Sequence, residues 1–250
     1  MLDDEERREV ARRFLVADDQ VVRDHLISHV LAALAGMGQD FVFYGGTALA
    51  RTHLPEFRLS EDIDLLAKDR AAVAGALEGT LPRRLRREFG AVEWVVAPSR
   101  VGEADPALLS TEDGVQVRVQ VGVLDSDRAR WPTEVRPIIM RYSDVEAVSL
   151  RVPTLRAFAG MKAFAWESRH AARDLADLRE LARLGAIDAG VIALLRNTIG
   201  RTVYPVEFTR MPEGTRAGWS VQLDHQMAAT PDPDVCLSEV HSAWVAALSS

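Results

Sequence analysis

Asp62 and Asp64, set one residue apart, are the most chemically suggestive pair in this sequence. In an extended segment side chains alternate, so both carboxylates fall on one face with Cα atoms about 6.5 Å apart. Ile63 and Leu65 then point the other way and can anchor the strand in a core. Two acids on one rigid face repel unless a cation lies between them. Mg²⁺ is the natural occupant, a hard ion held by one or two carboxylates together with substrate phosphates. Ser60 shares that side if the extended conformation starts there. Upstream, Gly45 and Gly46 stand between a short apolar run and a helical segment. Glycines at such a junction let the backbone approach a ligand, and a helix start offers free N–H groups and a positive dipole end to phosphate. A phosphate seat beside a two-carboxylate metal site is the equipment of phosphoryl or nucleotidyl transfer.

The elements that must position these groups follow from periodicity. Apolar residues recur at three- and four-residue steps from about Asp4 to Ala35, which predicts helix, stopped by Gly36 and Gly38. Residues 41–44 read as a buried strand and 47–53 as a helix opening directly from the glycine pair, with Pro55 closing the segment. Asp62 to Ala67 is a second strand, followed by a helix over roughly Arg70 to Glu78. Strands are expected at 92–96 and 115–124, with edge strands at 136–142 and 148–152. After Pro153 the pattern turns helical, over 154–167, 173–184, 188–196 and 235–248, while four prolines and two glycines make 204–233 mostly loop. The expected fold class is α+β: residues 1–150 form an α/β domain with a mixed sheet and residues 151–250 a mostly helical domain.

Composition bounds the rest. The chain has 250 residues and a net charge of −7, which argues against a general nucleic-acid coat protein but leaves room for a local basic patch. No apolar run approaches the roughly 18 residues of a membrane span. The acidic start, Met1 to Glu6, lacks the apolar core of a secretory signal. One cysteine, Cys236, excludes an internal disulfide and a Cys-cluster zinc site and reads as a packed thiol. The expectation is a cytoplasmic protein with no membrane partner. Only two of the 30 basic residues are lysines, 68 and 162, so a lysine within a helix raises the question of what a compact ammonium does there.

The stretch FVFYGGTALARTHLPEFRLSEDIDLL, residues 41–66 in outline, resembles the first motif of the polymerase β-like nucleotidyltransferase superfamily, a glycine pair followed by a D-x-D strand. Within it, GGTALA, then Arg58, then S-E-D-I-D-L, looks like the AbiEii/MenT nucleotidyltransferase toxins. The resemblance extends to Lys162 followed by R-D-L-A-D-L at 173–178, like that family's second motif. What it implies is a polymerase β-like domain in which Gly45, Gly46, Thr47 and Ser60 bind the nucleotide triphosphate. Asp62 and Asp64 would hold the metal, Lys162 would neutralise phosphate, and Arg58 would brace the motif loop. Asp174 would act near the acceptor or the base pocket. Many relatives carry a third carboxylate on a later strand to activate the acceptor hydroxyl. VQVRVQV at 115–121 offers Arg118 and Gln120 instead, so either another residue supplies it, Asp174 first, or acceptor activation differs.

Lys162 and Asp174 pose a geometric test. On one continuous helix they would lie some 18 Å apart on different faces, so they converge only if the chain bends around residues 168–171. Asp177 ranks below Asp174, as a natural partner for Arg173 or solvent. The run Arg83-Arg84-Leu85-Arg86-Arg87 either grips an RNA backbone or forms a solvated face. His25 and His29 stand four apart on a helix, as zinc ligands can; no third ligand is evident, and the pair reads as structural. The resulting expectation is a Mg²⁺-dependent nucleotidyltransferase that uses an NTP to modify RNA, the 3′ end of tRNA, as the toxin of a pair with an antitoxin protein. The alternatives are nucleotidylation of a small molecule or protein hydroxyl, or a binding module that catalyses nothing.

Overall fold

The computed structural model describes residues 2–38 and 40–250. Internal packing divides the chain into two units: residues up to Asp125 with Glu134–Val152, and Ser126–Thr133 with Pro153–Ser250.

The first unit is built on a five-stranded mixed sheet. Its strands are β1 (Phe41–Tyr44), β2 (Asp62–Ala67), β3 (Val92–Val96), β4 (Ala107–Thr111) and β5 (Gln116–Val123), in the spatial order β1-β2-β5-β4-β3. β2 pairs antiparallel with β1 and parallel with β5, so the strand bearing the two aspartates is held on both sides. β4 lies outside the expected strands, because Ala-Leu-Leu-Ser-Thr has no alternation to betray it; it earns its place by pairing between β5 and β3. Two further strands, β6 (Thr133–Pro137) and β7 (Ser149–Pro153), form a separate ribbon.

The expected helical run from 4 to 35 is two helices, α1 (Asp4–Phe14) and α2 (Asp18–Ala35). The chain turns at Leu15, which sits in the left-handed region at φ 49°. The turn lets Val10 and Phe14 of α1 join Val21 of α2 in one apolar cluster with Leu59, Tyr142 and Val145. Periodicity sees the two apolar stripes and not the reversal between them. A short helix, α3 (Gly45–Ala50), opens from the glycine pair and packs on β2. α4 (Arg70–Phe89) starts at an Asp69 cap and runs well past the expected end at 78, through Pro82. A helix-interior proline costs about 3 kcal/mol. Here a continuous buried stripe of Val73, Ala74, Leu77, Leu81 and Leu85 outweighs it, each buried leucine being worth roughly 1.5–3 kcal/mol.

The second unit is helical: α5 (Leu155–Arg169), α6 (Ala172–Arg183), α7 (Ala189–Ile199), α8 (Glu213–Ala217), α9 (Trp219–Leu223) and α10 (Pro233–Ser249). Residues 204–233, expected to be mostly loop, hold α8, α9 and a 3-10 turn at Pro205–Phe208. Burial organises them despite the prolines. Phe208, Trp219 and Leu223 are in the core, and the indole N–H groups of Trp166 and Trp219 donate to the carbonyls of Glu207 and Pro231. Cys236, on the buried face of α10, is a packing residue, and burial pushes its thiol pKa up to about 12.

Candidate active site

Along β2 the pleat buries Ile63 and Leu65 completely and leaves Asp62 and Asp64 half-buried on the opposite face. The register places Asp62 opposite Arg118 and Asp64 opposite Gln120 of β5. Both acids, with Arg118, Gln120 and Pro106, line a cavity of about 170 Å³. Asp62 and Arg118 also border a neighbouring cavity of about 290 Å³ with Arg23, Glu61, Leu108 and Gln116. The two carboxylates thus share one face and open onto space.

The glycine pair closes against them. Gly45 has φ +78°, where a side chain is strained, and an added Cβ would collide with the Asp64 carboxylate. A Cβ on Gly46 would stand 2.8 Å from Arg58 Nη2 and 3.1 Å from Ser60 Oγ. Only glycines let the α3 start, Ser60, Arg58 and Asp64 approach this closely. Thr47 is buried and its hydroxyl donates to the Asp62 carbonyl, tying α3 to β2. Arg58 is 2% exposed and its Nη1 donates to the Leu59 carbonyl at 3.0 Å, bracing the loop that carries Ser60.

Arg118 holds Asp62 in a bidentate pair, Nε to Oδ1 at 2.7 Å and Nη2 to Oδ2 at 3.2 Å. That hydrogen bond raises the Arg118 pKa. The guanidinium thereby supplies the counter-charge two neighbouring acids require. Its side chain is half exposed, so it can leave Asp62 at little cost. The donor set fits Mg²⁺: two carboxylates on one face of a cavity, beside a glycine-lined approach for phosphate oxygens. Gln120 lines the same cavity, with its amide donating to the Glu103 carbonyl at 2.8 Å.

Behind α3 lies a support that sequence reasoning missed. Arg51, directly after α3, donates to the carboxylate and carbonyl of Asp24 in α2, and Arg141 and the Tyr142 hydroxyl reach the same carboxylate. All of these groups but Arg141's backbone are deeply buried, and burial lowers the Arg51 pKa to about 10. A buried aspartate on an apolar helix face was the available signal; its partners lie 27 and 117 residues away.

In the second unit the chain breaks where convergence of Lys162 and Asp174 requires it. α5 ends at Arg169, His170 takes the left-handed conformation at φ 50°, and α6 starts at Ala172. Lys162 Nζ then lies 2.9 Å from Asp174 Oδ1 and 2.8 Å from Asp177 Oδ2. Arg169 adds a bidentate pair to Asp174 at 2.7 and 3.0 Å. Asp177 is therefore buried against Lys162, not paired with Arg173 or solvent. Burial alone would raise the Asp174 pKa, but Lys162 and Arg169 outweigh it and the net shift is downward. Such a carboxylate is a weak proton acceptor. In the basic run, Arg84 is engaged in capping α2, donating to the Ala33 and Gly36 carbonyls, while Arg83, Arg86 and Arg87 are exposed.

Comparison with known proteins matches this architecture. The fold resembles the MenT4 nucleotidyltransferase toxin of Mycobacterium tuberculosis, at 20% identity over 98% of this chain and 90% of that one, with a TM-score of 0.65. It also resembles JHP933 of Helicobacter pylori, at 16% identity over 92% of each chain, with a TM-score of 0.54. No curated protein matches in sequence. The family profile described as the nucleotidyl transferase AbiEii toxin of type IV toxin–antitoxin systems matches residues 29–245, almost the whole chain, and spans both the D-x-D strand and the Lys162 network. The chain belongs to the AbiEii family of nucleotidyltransferase toxins.

Proposed function

We propose that this nucleotidyltransferase uses Mg²⁺ and an NTP to add nucleotides to RNA, at the 3′ end of tRNA, and so blocks growth in the cytoplasm until a cognate antitoxin protein restrains it. The observation that carries the reading is the shared cavity of Asp62 and Asp64 beside Gly45, Gly46 and Ser60. Asp62 and Asp64 would hold Mg²⁺, which when bound supplies charge neutralisation on the triphosphate. The glycine pair admits phosphate oxygens to the backbone N–H groups at the α3 start, and the Ser60 hydroxyl donates to one of them. Arg58 keeps that loop in place. Arg118, released from Asp62 when the acids take a different cation, adds positive charge at the cavity wall. The acceptor hydroxyl attacks the α-phosphorus in line, its O–P bond forms, and the bond to pyrophosphate breaks. The hydroxyl proton goes to solvent or substrate phosphate, because β5 offers no carboxylate and Asp174 is already doubly paired. Lys162 and Asp174 enter the reading through the family's second motif, as a phosphate-neutralising cation and a residue near the acceptor.

A second reading, transfer to a small-molecule or protein hydroxyl, draws on the net charge of −7 and on Arg84 being engaged within the fold. One experiment separates them. Purified protein with Mg²⁺ and each labelled NTP is offered tRNA, then a protein extract and a metabolite pool. Label on the tRNA 3′ end is the expected result. Folded protein that leaves tRNA unlabelled while labelling another acceptor overturns the RNA assignment.

A further inference from the structure

Away from the aspartate cavity, α2 presents His25 and His29 on one face, and the loop between β6 and β7 brings Asp144 to them. His25 Nε2 lies 3.1 Å from both Asp144 oxygens and 3.2 Å from His29 Nε2, and His29 Nε2 lies 3.5 Å from Asp144 Oδ2. Hydrogen bonding accounts poorly for this triangle. An imidazole Nε2 carries at most one proton, directed along the ring, whereas His25 Nε2 has three polar neighbours at nearly equal range.

We infer that His25, His29 and Asp144 form a transition-metal site whose occupant is Zn²⁺. The point equidistant from the three ligand atoms lies about 1.9 Å from each, just inside the 2.0–2.1 Å of a Zn–N bond, so an ion fits slightly above their plane. Ligands of a tetrahedral ion at that bond length stand roughly 3.3–3.4 Å apart, which matches the observed 3.1–3.5 Å edges. Two imidazoles and one carboxylate suit Zn²⁺ and not Mg²⁺, which takes oxygen donors. Phe89 packs its ring 5.4 Å from His25 and 5.3 Å from His29, and Tyr142 stands edge-on 4.9 Å from His25, fixing both imidazoles. His29 and Asp144 keep 13% and 19% exposure, so water can take the fourth position from the solvent side.

The site has a structural consequence for the reaction centre. Asp24, next to His25, anchors Arg51, Arg141 and Tyr142, and the loop bearing Arg141 and Tyr142 also bears Asp144. A bound ion clamps this loop to α2 and so holds the support behind α3. The inference does not depend on the proposed acceptor or on Mg²⁺ at the aspartates.

The test uses full-length protein stripped with chelator and titrated with Zn²⁺ alone, and separately with Co²⁺ alone. Parallel titrations use the Asp62→Ala, Asp64→Ala double variant, to remove the other divalent site. One tight Zn²⁺ equivalent, visible Co²⁺ bands of tetrahedral strength and a raised melting temperature are expected in both proteins. His29→Ala and Asp144→Asn alter partly exposed positions, so they keep the fold even where His25→Ala does not. Each should weaken Zn²⁺ binding beyond the roughly 10–100-fold that loss of a supporting hydrogen bond brings. Absence of stoichiometric Zn²⁺, or equal binding by wild type and both variants, overturns the site.

Discussion

Two of the chain's charge constellations, one in each unit, are built on opposite terms. Asp62 and Asp64 are half-buried, border open cavities, and are neutralised by one half-exposed arginine. Lys162, Asp174 and Asp177 are at most 7% exposed and satisfy one another, with Arg169 completing the set. A surface ion pair is worth roughly 0–1 kcal/mol, so Asp62 can exchange Arg118 for another cation without threatening the fold. A buried set is different: removing one partner leaves a charge without water or counter-ion. The first constellation has a counter-charge that can exchange, while the second closes on itself across the α5–α6 junction.

The largest effect that would sharpen this contrast is on turnover. Asp62→Ala should reduce nucleotide transfer on the order of 10³-fold, the several kcal/mol of charge stabilisation a metal site supplies, at about tenfold per 1.4 kcal/mol. Its melting curve should stay within about 1 kcal/mol of wild type, since Arg118 remains solvated. A collapse in stability instead would make Asp62 a structural residue and erase the contrast. Lys162→Met should do the reverse in denaturant titrations, costing about 3–5 kcal/mol by removing the ammonium that buried Asp174 and Asp177 share.

Gly45→Ala tests the closeness of the glycine pair to the acids. The left-handed backbone and the collision with Asp64 should cost about 1–2 kcal/mol. Displacement of the acid by even 1 Å should cut transfer about 10²-fold. Transfer at the wild-type rate would show that the glycine is needed for folding alone. Arg118→Gln is subtler. If the arginine only stands in for a metal, its loss should lower the Mg²⁺ concentration for half-maximal transfer by up to about fivefold, the scale of an exposed ion pair. An unchanged or raised Mg²⁺ requirement would assign Arg118 to the substrate instead.

Acid provides the smallest and broadest probe. The Asp174 pKa is lowered by folding, so its contribution to stability is complete above the ordinary carboxylate value of 3.8 and is lost as pH falls through its own lower value. Stability measured from about pH 7 downward should fall at the acid end in wild type. Asp174→Asn, already destabilised, should fall less steeply there.

The features visible in the sequence were those fixed by short-range geometry. Alternation along a strand puts Asp62 and Asp64 on one side whatever surrounds them, and glycine before a helix permits close approach anywhere. The bend at 168–171 could be posed as a condition, though nothing local marks His170 as the residue that turns left-handed. Spacing also paired His25 with His29, but their third neighbour, Asp144, is 115 residues distant and belongs to a different element. Likewise the helix expected to end near residue 78 runs on through Gly79 and Pro82 to Phe89, because a buried stripe outweighs them.

What the sequence by itself determined, then, was which side chains share a face and which family pattern they form, because those depend on backbone repeat alone. Only the tertiary structure decided their counter-charges: Arg118 opposite Asp62 through strand register, Lys162 between two buried aspartates, and Asp24 between two arginines. The reason is that electrostatic environment is set by what folding brings within a few ångströms and by how much water it removes. Neither quantity is written in the spacing of residues along the chain.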